Sequence, residues 1–360
     1  MRPGRVSRRL SLVLSWVGPW LLGGCAGTAP TTNAVFFPPP PGTPRLQYLT
    51  QFTSSRDVVP ARGAFAGFVL GQEETVDEVV KPYGVAMSAG RIYVCDTKRN
   101  LVNVFDLGGR RFGYLGFEGP GRLAKPINVT VADDGTKYVA DAERGEIVIF
   151  SNEDRFLGTL GSAELAKPVD VAVGPDRIWV CDAESCEIVV FGRSSHELLT
   201  RFGSCGSGDD QFARPTNVAL GPDGNLYVSD TINGRVRKVD PDGRALQTFG
   251  SLGSLPGQFA RPKGVSLDAA GRLYVVDAAF ENVQIFDPSG QLLLAFGGAG
   301  PAAGNLNLPA QVVVDYDDVD RFRDYAAPGF DLEYVVLVTS QYGPRKVSVF
   351  GFGRSSGDGS

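Results

Sequence analysis

From residue 45 onward, apolar residues come in short runs separated by turns rich in glycine and proline, and the runs recur with a steady period. Alignment on Pro82, Pro126, Pro168, Pro215, Pro262 and Pro309 gives spacings of 44, 42, 47, 47 and 47 residues. Each proline opens a short apolar run. A turn follows, then a second run closed by an acid: Asp96, Asp141, Asp182, Asp230 and Asp277. A third run spans Val102–Phe105, Ile147–Phe150, Ile188–Phe191, Val236–Val239, Val283–Phe286 and Val347–Phe350. The fourth ends at Leu115-Gly116, Leu160-Gly161, Phe202-Gly203, Phe249-Gly250 and Phe296-Gly297. Four short strands per period of this length predict an all-β, six-bladed β-propeller of four-stranded blades.

The strand count also predicts how the ring closes. The last unit stops after its third strand, Val347–Phe350, and the first is preceded by an orphan fourth strand, Leu46 to Phe52. The N-terminal strand is therefore expected to complete the sixth blade, so that one sheet holds both ends of residues 45–353.

Composition narrows the chemistry. The 46 glycines and 24 prolines fit a chain of turns, and the single histidine, His196, leaves no histidine-rich metal site. Residues 1–24 read as a targeting segment: Arg2, Arg5, Arg8 and Arg9 precede the apolar stretch Leu10 to Leu22. The following Gly23-Gly24-Cys25 resembles a bacterial lipoprotein signal, which implies lipidation of Cys25. By that family's sorting rule, Ala26 favours the outer membrane. Removing these residues takes the net charge from −5 to −9, which disfavours nucleic acid as a partner. Residues 25–44 contain Pro30, Pro38 to Pro41 and Pro44 and are expected to form an extended tether spanning up to about 60 Å. Residues 354–360 read as a disordered tail.

The pattern proline-x-x-Val, strand-end aspartate, apolar third strand and Phe-Gly resembles the NHL-repeat family over residues 45–353, best at Asp230 to Arg235. With the N-terminal signal, the chain resembles exported bacterial NHL-repeat lipoproteins of the cell envelope. The resemblance implies a binding platform on the periplasmic or surface side, and in some members one that accompanies multihaem cytochromes. Zinc-dependent lyases of this fold use several histidines, which this chain lacks.

The repeat register names the candidate site. The residue before each proline is Lys81, Lys125, Lys167, Arg214, Arg261 and Leu308, and Lys263 adds a further cation. Two residues after each proline come Gly84, Asn128, Asp170, Asn217, Gly264 and Gln311, expected near the channel mouth. One reading is a cationic collar for an anionic ligand or an acidic envelope protein. The other is a neutral lattice in which each cation pairs with a same-face carboxylate, the strand-end aspartates included. An irregular region, residues 315–331, carries Val319, Phe322 and Tyr325 at roughly helical spacing. It is read either as a partner-docking loop or as a cap on the far face.

Four cysteines remain beyond Cys25, and Cys181 with Cys186, flanking one turn, is the favoured disulfide. Neither a metal nor a cofactor is expected, and catalysis is the disfavoured reading. Its alternative form is a lactonase-like or hydrolase-like channel site in which Asn128, Asp170, Asn217 and Gln311 hold a metal. The expectation is a lipid-anchored, non-enzymatic scaffold serving an envelope or electron-transfer complex.

Overall fold

The computed structural model describes residues 1, 34–60 and 76–356; the signal segment and Cys25 lie outside the described residues. Five sheets of four antiparallel strands and one of five make six blades. The first strands, Pro82–Ser88, Pro126–Val131, Pro168–Val173, Pro215–Leu220, Pro262–Leu267 and Pro309–Asp315, contact their counterparts in neighbouring blades and surround the channel. Blades are numbered 1 to 6 in that order.

Closure follows the predicted route. Leu46–Phe52 pairs antiparallel with Val347–Ser355 in blade 6, with Tyr48 opposite Phe350 and Phe52 opposite Val347. The core lies between blades, where side chains of adjacent sheets interdigitate. Between blades 5 and 6, for example, Tyr274, Val276, Phe296, Val336, Val338 and Phe350 are all buried.

Part of the expected tether is folded. Phe36–Phe37 forms a fifth strand on the outer edge of blade 6, with Phe36 opposite Gln47 and Phe37 opposite Leu46. The Phe37 ring packs 6.1 Å from both Phe296 and Phe350, and Phe36 lies 5.4 Å from Phe330. Partly burying two aromatic side chains outweighs the extended preference of the neighbouring prolines. At the other end, the last strand runs to Ser355, past the residue 353 boundary expected from sequence.

The strand-end aspartates work as latches. Asp182 accepts N–H groups of Ala166 and Lys167 in the incoming loop and of Glu184 and Ser185 in its own turn. Asp96, Asp141 and Asp277 bond the equivalent positions. Blade 6 lacks the aspartate; there Ser340 accepts the Asn307 N–H and Glu281 that of Leu308. Each latch fixes the residue before the proline, and hence the height of the collar.

The cysteine expectation is corrected. The disulfide joins Cys186 to Cys205, with Cα atoms 5.0 Å apart, while Cys95 and Cys181 are buried free thiols. Cys181 is opposite Ile188 within the sheet, and its side chain points into the core between blades 3 and 4. Cys186 has a left-handed backbone, φ +60°, in the turn, and its sulfur meets the loop entering blade 4. Burial pushes both free thiols well above their ordinary range.

Candidate functional site at the channel mouth

In all six blades the pairing of first and second strands slips just after the proline. Such a bulge re-aims the side chain at that point. The six residues at the slip are Gly84, Asn128, Asp170, Asn217, Gly264 and Gln311, all buried, and together they form a belt.

Asp170 organises one side of the belt. Its Oδ1 accepts Asn128 Nδ2 at 2.7 Å and the Val171 N–H at 2.8 Å. Its Oδ2 accepts Asn217 Nδ2 at 3.2 Å and the Val218 N–H at 3.0 Å. Burial pushes this carboxyl up to about 7, against the downward pull of the four N–H donors. The glycines make room for the amides: a Cβ on Gly84 would fall 2.2 Å from Asn128 Oδ1, and one on Gly264 2.1 Å from Gln311 Oε1. Asn217 Oδ1 is buried without a partner. Beyond the belt the channel holds a cavity of about 300 Å³, lined by the first strands and by Asp170, Ser266, Gln311 and Asp315.

The belt side chains considered from sequence as metal ligands are engaged with one another and with main-chain N–H groups. Two N–H donors lie on each oxygen of Asp170. Among the described residues, no group of three His, Cys, Asp or Glu side chains comes together as ligands.

At the mouth, Lys263 Nζ donates to Tyr83 Oη at 2.9 Å and sits 5.2 Å from the centre of that ring. This link runs from blade 5 to blade 1 across blade 6. Around it stand the collar residues. Lys125, Lys167, Arg214 and Arg261 are exposed, and Lys81 is half-buried with its ammonium 5.5 Å from the Tyr342 ring centre. The neutral-lattice reading fails here: the aspartates bind backbone N–H groups, and Asp230 pairs with Arg235 instead of Arg214. Among the described residues, none of these five collar cations lies within 4.0 Å of a carboxylate. Elsewhere on the same face Arg99, Arg144 and Arg235 do have such partners.

The 315–331 region is a cap. Val319–Tyr325 forms a 3-10 helix whose Val319 and Phe322 are buried against Phe52, Met87, Phe105 and Phe330. A docking role for Val319 and Phe322 is therefore corrected, since both point inward; Tyr325 alone of the three is exposed. Asp318 secures the cap by accepting the Gly90 N–H at 3.0 Å and Arg321 Nε at 2.8 Å. Sequence reasoning missed the Tyr83–Lys263 link and the fifth strand. The signal for the latter was the Phe36-Phe37 pair inside a polar, proline-rich stretch.

No family model matches the chain, and no curated protein matches it. Solved structures share its fold. A streptogramin B lyase is 15% identical, covering 76% of this chain and 93% of its own, with a TM-score of 0.53. Virginiamycin B lyase from Staphylococcus aureus is 16% identical over 76% of this chain and 81% of its own, with a TM-score of 0.53. An auxiliary nutrient binding protein from Bacteroides thetaiotaomicron is 12% identical over 76% and 69%, with a TM-score of 0.57. These likenesses establish the propeller fold. They also correct the expectation that the chain is not an enzyme: propellers of this shape include lyases, so the fold does not exclude catalysis.

Proposed function

We propose that this chain is a binding propeller whose channel mouth and cationic collar receive an anionic group, carried by a ligand or by an acidic protein. One observation carries the reading: five regularly spaced cations surround the mouth, and none is neutralised by a carboxylate among the described residues. Unpaired charge around a concave mouth focuses potential and speeds capture of the opposite charge. The latches add to this. Because each aspartate holds backbone N–H groups, the cationic side chain beside it is held in place but left available.

We further propose that the chain is an NHL-repeat lipoprotein of the cell envelope, anchored through Cys25, with the outer membrane favoured, and accessory to an envelope or electron-transfer complex. The resemblance of its repeat and N-terminal segment supports this, and the Cys186–Cys205 disulfide suits an oxidising compartment.

The collar is tested by replacing Lys125, Lys167, Arg214 and Arg261 with Gln and measuring capture of envelope components in quantitative pull-downs at two salt concentrations. Capture should fall, and its salt dependence with it. Capture unchanged for every component would overturn the reading. Labelled fatty acid should enter the wild-type chain and not Cys25→Ala; equal labelling would remove the anchor.

A further inference from the structure

The loops entering blades 4 and 5 share one framework. In the first, the Phe212 N–H donates to Ser204 O at 2.9 Å, Gln211 Nε2 to Ser204 Oγ at 3.3 Å and the Gly208 N–H to Gln211 Oε1 at 3.1 Å. In the second, the Phe259 N–H donates to Ser251 O at 2.9 Å, Gln258 Nε2 to Ser251 Oγ at 3.3 Å and the Leu255 N–H to Gln258 Oε1 at 3.0 Å. The bridges Cys205 to Phe212, Leu252 to Phe259 and Ala299 to Leu306 extend the match to the loop entering blade 6.

The repeat thus supplies its own control. The framework accepts Cys205, Leu252 or Ala299 at one position and Gly208, Leu255 or Ala302 at another, so folding does not demand leucine at either. Yet Leu252 and Leu255 are 63% and 67% exposed. Leu252 lies against Gly234, in the turn that presents Ile232, itself 58% exposed. Corresponding turns carry Lys98, Glu143, Glu184 and Ala279 in place of Ile232. Three large aliphatic side chains therefore face water on one rim of the channel-mouth face, where nothing in the loop architecture requires them.

The surrounding charge selects the occupant. Arg214 and Arg261, exposed, precede the prolines of blades 4 and 5, while the loop entering blade 4 also carries the exposed acids Asp209, within 3.2 Å of Arg237, and Asp210. An anionic bilayer would attract the arginines and repel those acids. A folded protein can meet both signs at once, with an apolar socket at the centre. We propose that Ile232, Leu252 and Leu255 form the anchor of a docking rim for a folded protein partner with an apolar socket edged by carboxylates toward Arg214 and Arg261 and by basic groups toward Asp210. This rests on the reading of the channel-mouth face as a binding surface.

The test uses the full chain in its native envelope, with a photo-cross-linking phenylalanine analogue placed at Leu255, and at Gly208 and Ala302 as framework controls. The expected result is one discrete protein adduct at Leu255 that is about tenfold weaker at both controls. Leu252→Asp should reduce that adduct by about tenfold or more, and Arg214→Glu with Arg261→Glu should do the same, with melting unchanged. The proposal is overturned by an absent adduct, by equal adducts at all three positions, by an adduct of two copies of this chain, or by a lipid adduct. Loss with Leu252→Asp but not with Lys125→Gln plus Lys167→Gln keeps the rim and confines the collar's part in binding to Arg214 and Arg261. Survival of the adduct through Leu252→Asp overturns the rim itself.

Discussion

Asp182 accepts the backbone N–H of Lys167 at 2.8 Å, while the ammonium of the same lysine meets no carboxylate among the described residues. The acid that would neutralise the collar is committed to the main chain. It ties the loop entering blade 3 to the turn between the second and third strands of that blade, and Asp96, Asp141 and Asp277 do the same in blades 1, 2 and 5.

Removing one latch should therefore cost stability without touching the collar side chain. Asp182 is fully buried and accepts four N–H bonds, and bonds to a charged group are worth about 1.5–3 kcal/mol each in favourable cases. Since the freed N–H groups regain water in part, Asp182→Ala should destabilise by about 2–4 kcal/mol in urea unfolding. A change under about 0.5 kcal/mol would show that the latch is dispensable.

The disulfide closes a 19-residue separation, for which loop-closure entropy corresponds to about 3 kcal/mol. Cys186→Ser with Cys205→Ser should lower stability by roughly that amount, and added reductant should bring the wild type to the same level. Cys181→Ser tests a different environment: it places a hydroxyl in a closed core, and reductant should leave its unfolding difference from wild type unaltered. If reductant failed to destabilise the wild type, the Cys186–Cys205 pairing would be wrong.

The ring was legible in the sequence because the repeat writes it six times over, and proline spacing alone placed the collar and the belt in register. What stayed hidden depends on direction in space. Periodicity grouped Val319, Phe322 and Tyr325 correctly but could not say that two of them face inward, since an apolar side chain at helical spacing serves a core or a partner equally well. Cys181 and Cys186 are close along the chain, yet one is fixed inside a sheet and the other turns out of a left-handed position. The belt amides were identified, but their convergence on the two oxygens of Asp170 follows from a strand slip that no residue spacing announces.

Asp170 makes stability depend on pH in a definite direction. Its folded-state value, about 7, lies above the roughly 3.9 of an unfolded aspartate. Below about pH 4 both states are protonated and the contribution is fully present. As pH rises toward 7, the unfolded chain releases the proton while the folded carboxyl retains it, so stability is lost through that window and is flat above it. The loss is on the order of 4 kcal/mol at most. Asp170→Asn should remove this slope whatever its absolute stability, as read from urea unfolding between pH 4 and 8. Parallel pH profiles for variant and wild type would refute the assignment.

The far-face cap separates packing from exposure within one turn of chain. Phe322 is 1% exposed against Phe52, Phe105 and Phe330, whereas Tyr325 is 51% exposed. Phe322→Ala should cost about 3–5 kcal/mol, the range for emptying a closed aromatic site. Tyr325→Ala should stay within about 0.5 kcal/mol, as exposed substitutions do. Because the cap lies at the opposite end of the channel from the collar, neither variant should alter capture at the mouth while the protein remains folded. Reduced capture by folded Tyr325→Ala would mean that the far face takes part in binding and would relocate the site.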